Sequence, residues 1–168
     1  MDINVKYFGE DVPRLVKNDR GDWIDLSVSN AFVVDNNEYS IKLVIKHRIT
    51  DHWGDNDRLW FDKGSVVVMR FGVAIELPYN KKANVLARSS LFASYGLILT
   101  NGVGCIDHVY KGNDDEWIGV FYCTREGYIT QYDRVCQFEA TDRMDATLHE
   151  VDELGSLNRN GYGTSGKQ

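Results

Sequence analysis

Short β-rich runs separated by turn residues recur along this chain, and they constrain its fold more than any other feature. Residues 65–71 read Ser-Val-Val-Val-Met-Arg-Phe and residues 73–77 read Val-Ala-Ile-Glu-Leu, after which Pro78, Tyr79 and Asn80 turn the chain. Such residues suit a pleated, half-buried surface. Ile3, Val5 and Tyr7 alternate with polar neighbours, and so does the stretch Tyr-Ser-Ile-Lys-Leu-Val-Ile-Lys at 39–46, so a strand is expected at each. Sustained helical periodicity is nearly absent, which predicts an all-β sandwich or barrel. The one expected exception is a short helix within 87–96, where Ser89 and Ser90 are placed to cap it and Gly96 to end it.

At 168 residues the chain suits a single domain with one core. Its 19 basic and 25 acidic residues, net −6, argue against a nucleic-acid or membrane surface, because both need a broad positive field. An anionic ligand must then be met by a few local cations or a metal. Cys105, Cys123 and Cys136 are an odd number without Cys-x-x-Cys spacing and read as reduced thiols of a cytoplasmic protein. The start has no apolar secretory core, and no uncharged run is long enough to span a bilayer.

Two acidic stretches are expected to be solvated. Asp51, Asp55 and Asp57 lack the spacing, glycine and terminal glutamate of a calcium loop, and Asn-Asp-Asp-Glu at 113–116 reads as a turn that points away from any anion. His149 has no partner at metalloprotease spacing, so residues 148–154 read as a connector.

The richest stretch is Asn-Gly-Val-Gly-Cys-Ile-Asp-His-Val-Tyr-Lys-Gly at 101–112, between an incoming strand at 96–101 and an apolar one at 117–122. Its glycines free the backbone to turn or to approach a ligand, while Asn101, Asp107 and Tyr110 supply polar and stacking groups. By itself the stretch suits ordinary turn chemistry as well as a ligand-holding hairpin. Upstream, the helix start at 89–90 suits a plain cap, or, with Arg88 adjacent, a phosphate site in an otherwise acidic chain.

Five segments in chain order resemble the motifs of the trimeric deoxyuridine triphosphatases (dUTPases), in the form associated with Bacillus and phage members. They are Gly-Asp-Trp-Ile-Asp-Leu at 21–26, Ala-Arg-Ser-Ser-Leu at 87–91, the stretch at 101–112, Tyr-Asp-Arg-Val-Cys-Gln at 132–137, and Gly-Tyr-Gly-Thr-Ser-Gly at 161–166. Departures from the commonest pattern are Trp23-Ile24 for Gly-Tyr, Ala87 for proline, Tyr132 for glycine and Tyr162 for phenylalanine. Arg159 also stands two residues nearer the lid aromatic than usual.

The resemblance implies a distorted jelly-roll, with residues 1–154 as the β domain and 155–168 as a Gly-rich lid tail exchanged within a homotrimer whose sites lie at subunit interfaces. It implies hydrolysis of dUTP to dUMP and pyrophosphate. Asp107 is then the base that deprotonates water, while Arg88, Ser89 and Ser90 grip the phosphates. Asn101, with the backbone at Gly104 and Ile106, reads the uracil edge, and Tyr110 lies against the deoxyribose. Mg²⁺ is held through water by Asp25 and Gln137, and the tail brings Arg159, Tyr162, Thr164 and Ser165. Alternation in the fourth motif places Arg134, Cys136 and Phe138 on one face and Asp133, Val135 and Gln137 on the other.

Two other readings stand beside this one. A dCTP deaminase shares the fold and the Arg-Ser-Ser-Leu segment but needs a glutamate beside the base. A phage-type regulatory protein would use the same fold to bind a protein partner, with residues 47–58 as the candidate surface.

Overall fold

The computed structural model describes residues 1–46 and 53–157. In chain order these form β1 (Asn4–Tyr7), β2 (Ile24–Ser27), β3 (Asn30–Val34), α1 (Glu38–Lys46), β4 (Arg58–Phe61), β5 (Val66–Arg70) and β6 (Val73–Glu76). There follow β7 (Lys81–Ala87), α2 (Leu91–Tyr95), β8 (Leu97–Leu99), β9 (Val103–Ile106), β10 (Ile118–Cys123), β11 (Gly127–Thr130) and β12 (Arg134–Asp142). Two four-stranded sheets, β3-β5-β10-β8 and β2-β12-β7-β9, are joined by the ribbons β1-β6 and β11-β4. Every pairing is antiparallel. The all-β jelly-roll class with a short helix at α2 therefore holds.

One core takes side chains from both large sheets, including Leu26, Met69, Val85, Phe121, Val135 and Phe138. Strand β5 is buried along its whole length because both of its faces are covered. Val67 and Met69 point into that core, whereas Val68 faces Phe32 and Val44 in a second cluster on the other side. A strand covered on both faces has no polar positions to alternate, which explains the uninterrupted Val-Val-Val-Met.

The element that covers the second face is α1, where alternation had predicted a strand. Ile41 and Val44, three residues apart, share a helical face and pack onto Phe32 and Val68. Asn37 caps the helix, its Oδ1 accepting from the Ser40 N–H at 2.9 Å. At the other end the buried Arg70 guanidinium donates to the carbonyls of Val44 (2.9 Å) and Ile45 (3.2 Å), which have no partner within the helix.

Arg70 is also ion-paired with Glu116, Nη1 to Oε2 at 3.0 Å, and both residues are 6% exposed. Glu116 Oε1 accepts from the Gly72 N–H at 3.1 Å. The expectation that 113–116 is wholly solvated is thus corrected. The first three residues are a turn, with the Asp115 carboxylate accepting from the Gly112 N–H at 2.6 Å, but Glu116 is a buried structural carboxylate.

One smaller correction and two further outcomes follow. Ser90 stands at the N-cap of α2 without a side-chain capping bond, while Gly96 ends the helix in the left-handed region at φ 70° as expected. Residues 148–154 form no strand and are exposed. Of the expected loop at 47–58, residues 47–52 lie outside the described residues, and a 3₁₀ turn at Asp55–Asp57 leads into β4.

Removing one member of a buried ion pair strands the other charge, so Glu116→Ala is expected to lower unfolding free energy by about 3–5 kcal/mol. Urea midpoints at equal protein concentration check this, and a loss below about 1 kcal/mol would mean that water reaches Arg70.

Candidate active site

The sheet β2-β12-β7-β9 places the motifs. In β12, Gln137 lies opposite Asp25 of β2 on one side and Leu86 of β7 on the other, and Leu86 in turn lies opposite Val103 of β9. Segments far apart in the chain thus meet in one row of the sheet.

A β-bulge in β12 then aims the side chains. The register with β2 slips between Arg134 and Cys136, so Arg134 lies opposite Ser27 and Cys136 opposite Leu26. The extra residue turns Arg134 to the side of Gln137, where both line a cavity of about 430 Å³ together with Asp25 and Ser27. Strict alternation had put Arg134 on the face of Cys136 and Phe138, and the bulge overturns that. It also brings Arg134, which the motif resemblance left without a role, into the lining of that cavity.

Asp25 is the centre of the cluster. Its Oδ1 lies 3.0 Å from Arg88 Nε and its Oδ2 3.0 Å from Arg134 Nη1. Arg88 directly follows β7, and its N–H donates to the Val135 carbonyl at 3.0 Å, which fixes where its side chain starts. Two guanidiniums around one carboxylate leave a net positive charge, and an anion held there gains charge-assisted hydrogen bonds. Ser89 and Ser90 follow Arg88 on the exposed surface at the entry to α2. That helix has five residues, so its dipole adds little and the side chains carry the charge.

Behind the cluster, the Tyr95 hydroxyl is bonded to Asp133 and its pKa is pushed up to about 12, first by burial and then by that carboxylate. Asp133 Oδ2 also accepts from the Thr130 N–H at 3.0 Å, so α2 and the turn before β12 are tied together. In that turn Tyr132 has φ 68°, a conformation that favours glycine. Cys123 and Cys136 are buried thiols with pKa values raised to about 11 and about 12 by burial, as inert structural cysteines should be.

The glycine-rich stretch divides between the two sheets. Strands β8 and β10 pair as expected of a hairpin, but β9 leaves it to pair with β7. Asn101 and Gly102 make the turn between β8 and β9, with Gly102 at φ 66°. Gly104 answers to packing, since a Cβ there would stand 3.1 Å from Val85 Cβ. Ile106 is half-buried beside Ala83, and Asp107 is exposed just beyond it. The Tyr110 hydroxyl donates to the Glu116 carbonyl at 3.1 Å, which anchors the phenol and leaves the ring part-exposed.

Thus Asp25, Arg88, Arg134 and Gln137 are brought together, and Asp107 is not among them. It lies four residues along β9 from the row of Val103 and three strands across from Asp25, which separates the two aspartates by about 20 Å within one chain. Arg159, Tyr162, Thr164 and Ser165 lie outside the described residues.

Fold and site together define a jelly-roll protein with a cluster of two guanidiniums on one carboxylate at one end of a sheet and a glycine-rich turn at the other. The sequence profile of the dUTPase family matches residues 56–167. A prophage-derived deoxyuridine 5'-triphosphate nucleotidohydrolase of Bacillus subtilis is 34% identical, covering 99% of each chain. A deoxyuridine 5'-triphosphate nucleotidohydrolase of Desulfitobacterium hafniense is 33% identical over 66% of this chain and 75% of its own. Among solved structures, the dUTPase of Staphylococcus bacteriophage 80alpha with dUPNHPP superposes with a TM-score of 0.68 at 15% identity over 98% of both chains. A dUTPase variant from phage phi11 of S. aureus, whose structure describes coordination of a structural Mg(II) ion, gives 0.66 at 13% identity, over 91% of this chain and 98% of that one. The chain belongs to the dUTPase family.

Tyr95→Phe is expected to cost about 1 kcal/mol at pH 7 by deleting one hydrogen bond. Because the folded-state pKa lies above the unfolded one, the hydroxyl's contribution is fully present below pH 10 and fades as pH rises through about 12. Urea midpoints of the two proteins should therefore differ at pH 8 and converge towards pH 12, and a constant gap would exclude the bond to Asp133 as its source.

Proposed function

We propose that this protein hydrolyses dUTP to dUMP and pyrophosphate, with water attacking the α-phosphorus. The observation that carries this reading is the cluster of Asp25, Arg88 and Gln137, which the sheet gathers from three segments matching dUTPase motifs. The Arg88 guanidinium and the hydroxyls of Ser89 and Ser90 hold the phosphate oxygens. Asn101 and the backbone at Gly104 and Ile106 read the uracil edge, while the Tyr110 ring lies against the deoxyribose where a 2′-hydroxyl would collide. Asp107 takes the proton of the attacking water, a role that depends on its lying within hydrogen-bond reach of that water.

Since Asp107 and the phosphate cluster are about 20 Å apart in one chain, a complete site takes its base from another copy. That supports a homotrimer with sites at subunit interfaces. Residues 144–157 support it too, because they continue past β12 without forming a strand and hold Met144, Leu148, Val151, Leu154 and Leu157 exposed. Such an apolar arm suits exchange between copies. Residues 155–168 then act as the lid, with Arg159, Tyr162, Thr164 and Ser165 closing over the triphosphate and excluding water.

Among the described residues no group of three or more His, Cys, Asp or Glu side chains could hold a metal ion, so a cage made by the protein alone does not fit. The Asp25 carboxylate opposite the Gln137 amide would instead hold a hydrated Mg²⁺ through its water ligands. When bound, the ion neutralises charge that develops on the phosphate oxygens. Asp25 and Gln137 orient its water ligands, and Arg134 holds the Asp25 carboxylate in place.

The deaminase alternative needs a free glutamate at the base. Glu116, the sole glutamate between residues 100 and 125, is occupied by Arg70 and Gly72.

Pyrophosphate release measured across dUTP, dCTP, dTTP and UTP with Mg²⁺ is expected for dUTP alone, and ammonia released from dCTP would overturn the reading. Asp107→Asn should retain nucleotide binding and lose turnover by about 10²–10⁴-fold. Unchanged turnover would remove Asp107 from the mechanism.

A further inference from the structure

We propose that Tyr79, held by Arg143, is a positioning residue for the turn that carries Asp107; this rests on the assignment of Asp107 as the base. Tyr79 sits in the turn between β6 and β7, closed by the Lys81 N–H donating to the Pro78 carbonyl at 2.9 Å. Its ring meets the His108 ring edge-on, with centroids 5.4 Å apart and an interplanar angle of 86°. The Arg143 guanidinium lies 4.6 Å from the Tyr79 ring centroid and its Nη1 donates to the Tyr79 carbonyl at 2.9 Å, while the backbone N–H of Arg143 donates to the Asn80 carbonyl at 3.0 Å.

Tyr79 is 75% exposed, so it adds little to the core, and burial gives no reason for an aromatic ring there. Its contacts give one. The far end of the catalytic turn has its own tethers, namely the Tyr110 hydroxyl on Glu116, Lys111 on Glu76 and the Gly112 N–H on Asp115. At the near end, the Asp107 carbonyl accepts from the Tyr110 N–H at 3.0 Å and the next side chain, His108, abuts Tyr79. The sequence Arg143–Tyr79–His108 thus braces the Asp107 end of the turn against the last residues of the β7–β12 ladder, where Asp142 pairs with Lys81. A general base displaced by an ångström loses most of its effect, whereas substrate contacts made elsewhere are untouched.

Steady-state pyrophosphate release from dUTP with Mg²⁺ by the full-length chain tests this. Tyr79→Ala is expected to lower kcat about ten- to a hundredfold with KM changed by less than about twofold. Tyr79→Phe, which keeps the ring edge, should restore kcat to within about twofold of the parent. In an Asp107→Asn background Tyr79→Ala should cause no further loss, because its effect passes through Asp107. An unaffected Tyr79→Ala beside an inactive Asp107→Asn overturns this inference alone, as does a rise in KM at constant kcat or a full additional loss in the double variant. Retained turnover in Asp107→Asn overturns it together with the assignment of the base.

Discussion

Strand β12 is hydrogen-bonded along both edges, to β2 and to β7, and the site depends on that double pairing. Register in a sheet with one buried face is strongly fixed, because a one-residue slip would send Phe138 outward and Gln137 into the core. Burial of Val135, Cys136 and Phe138 therefore sets where Asp25, Gln137 and Arg88 stand relative to one another. The bulge before Cys136 adds what a regular strand could not, two successive polar side chains of β12 on the cavity side. The site's accuracy is thus maintained by apolar packing on the opposite face.

The buried pair Arg70–Glu116 plays the matching part in the other sheet. It joins the end of β5, the segment entering β10 and the last turn of α1, and it satisfies the helix's terminal carbonyls. Because Glu116 also fixes the point where the Tyr110 hydroxyl docks, this structural ion pair reaches the glycine-rich turn. In a single chain the guanidinium cluster and Asp107 sit at opposite ends of one sheet.

Much of this was legible in the residues. The strands at β1, β5, β6, β8, β10 and β12 follow from β-rich runs, alternation and turn residues, and the helix at α2 from its flanking serines and glycine. Helix α1 was misread because Tyr39, Ile41, Leu43 and Ile45 alternate as a strand would, while Ile41 and Val44 alone make its buried face. Two signals could have corrected this. Asn37 before Glu38 is a helix start, and a β5 without polar positions requires a cover on each side. Glu116 was taken for part of a solvated turn because its buried partner lies 46 residues away and no local pattern marks it.

What the sequence alone determined is the chemistry available: an all-β chain, a few cations in an acidic background, and carboxylates, amides and glycines in five segments of dUTPase type. Those choices are local, made by propensity, turn geometry and residue type. The tertiary structure decided which of them meet. The bulge that brings Arg134 to Asp25, the burial of Glu116, and the separation of Asp107 from the guanidinium cluster arise from contacts between residues distant in the chain. Such contacts depend on how sheets pack and register, and periodicity within a short window carries no record of them.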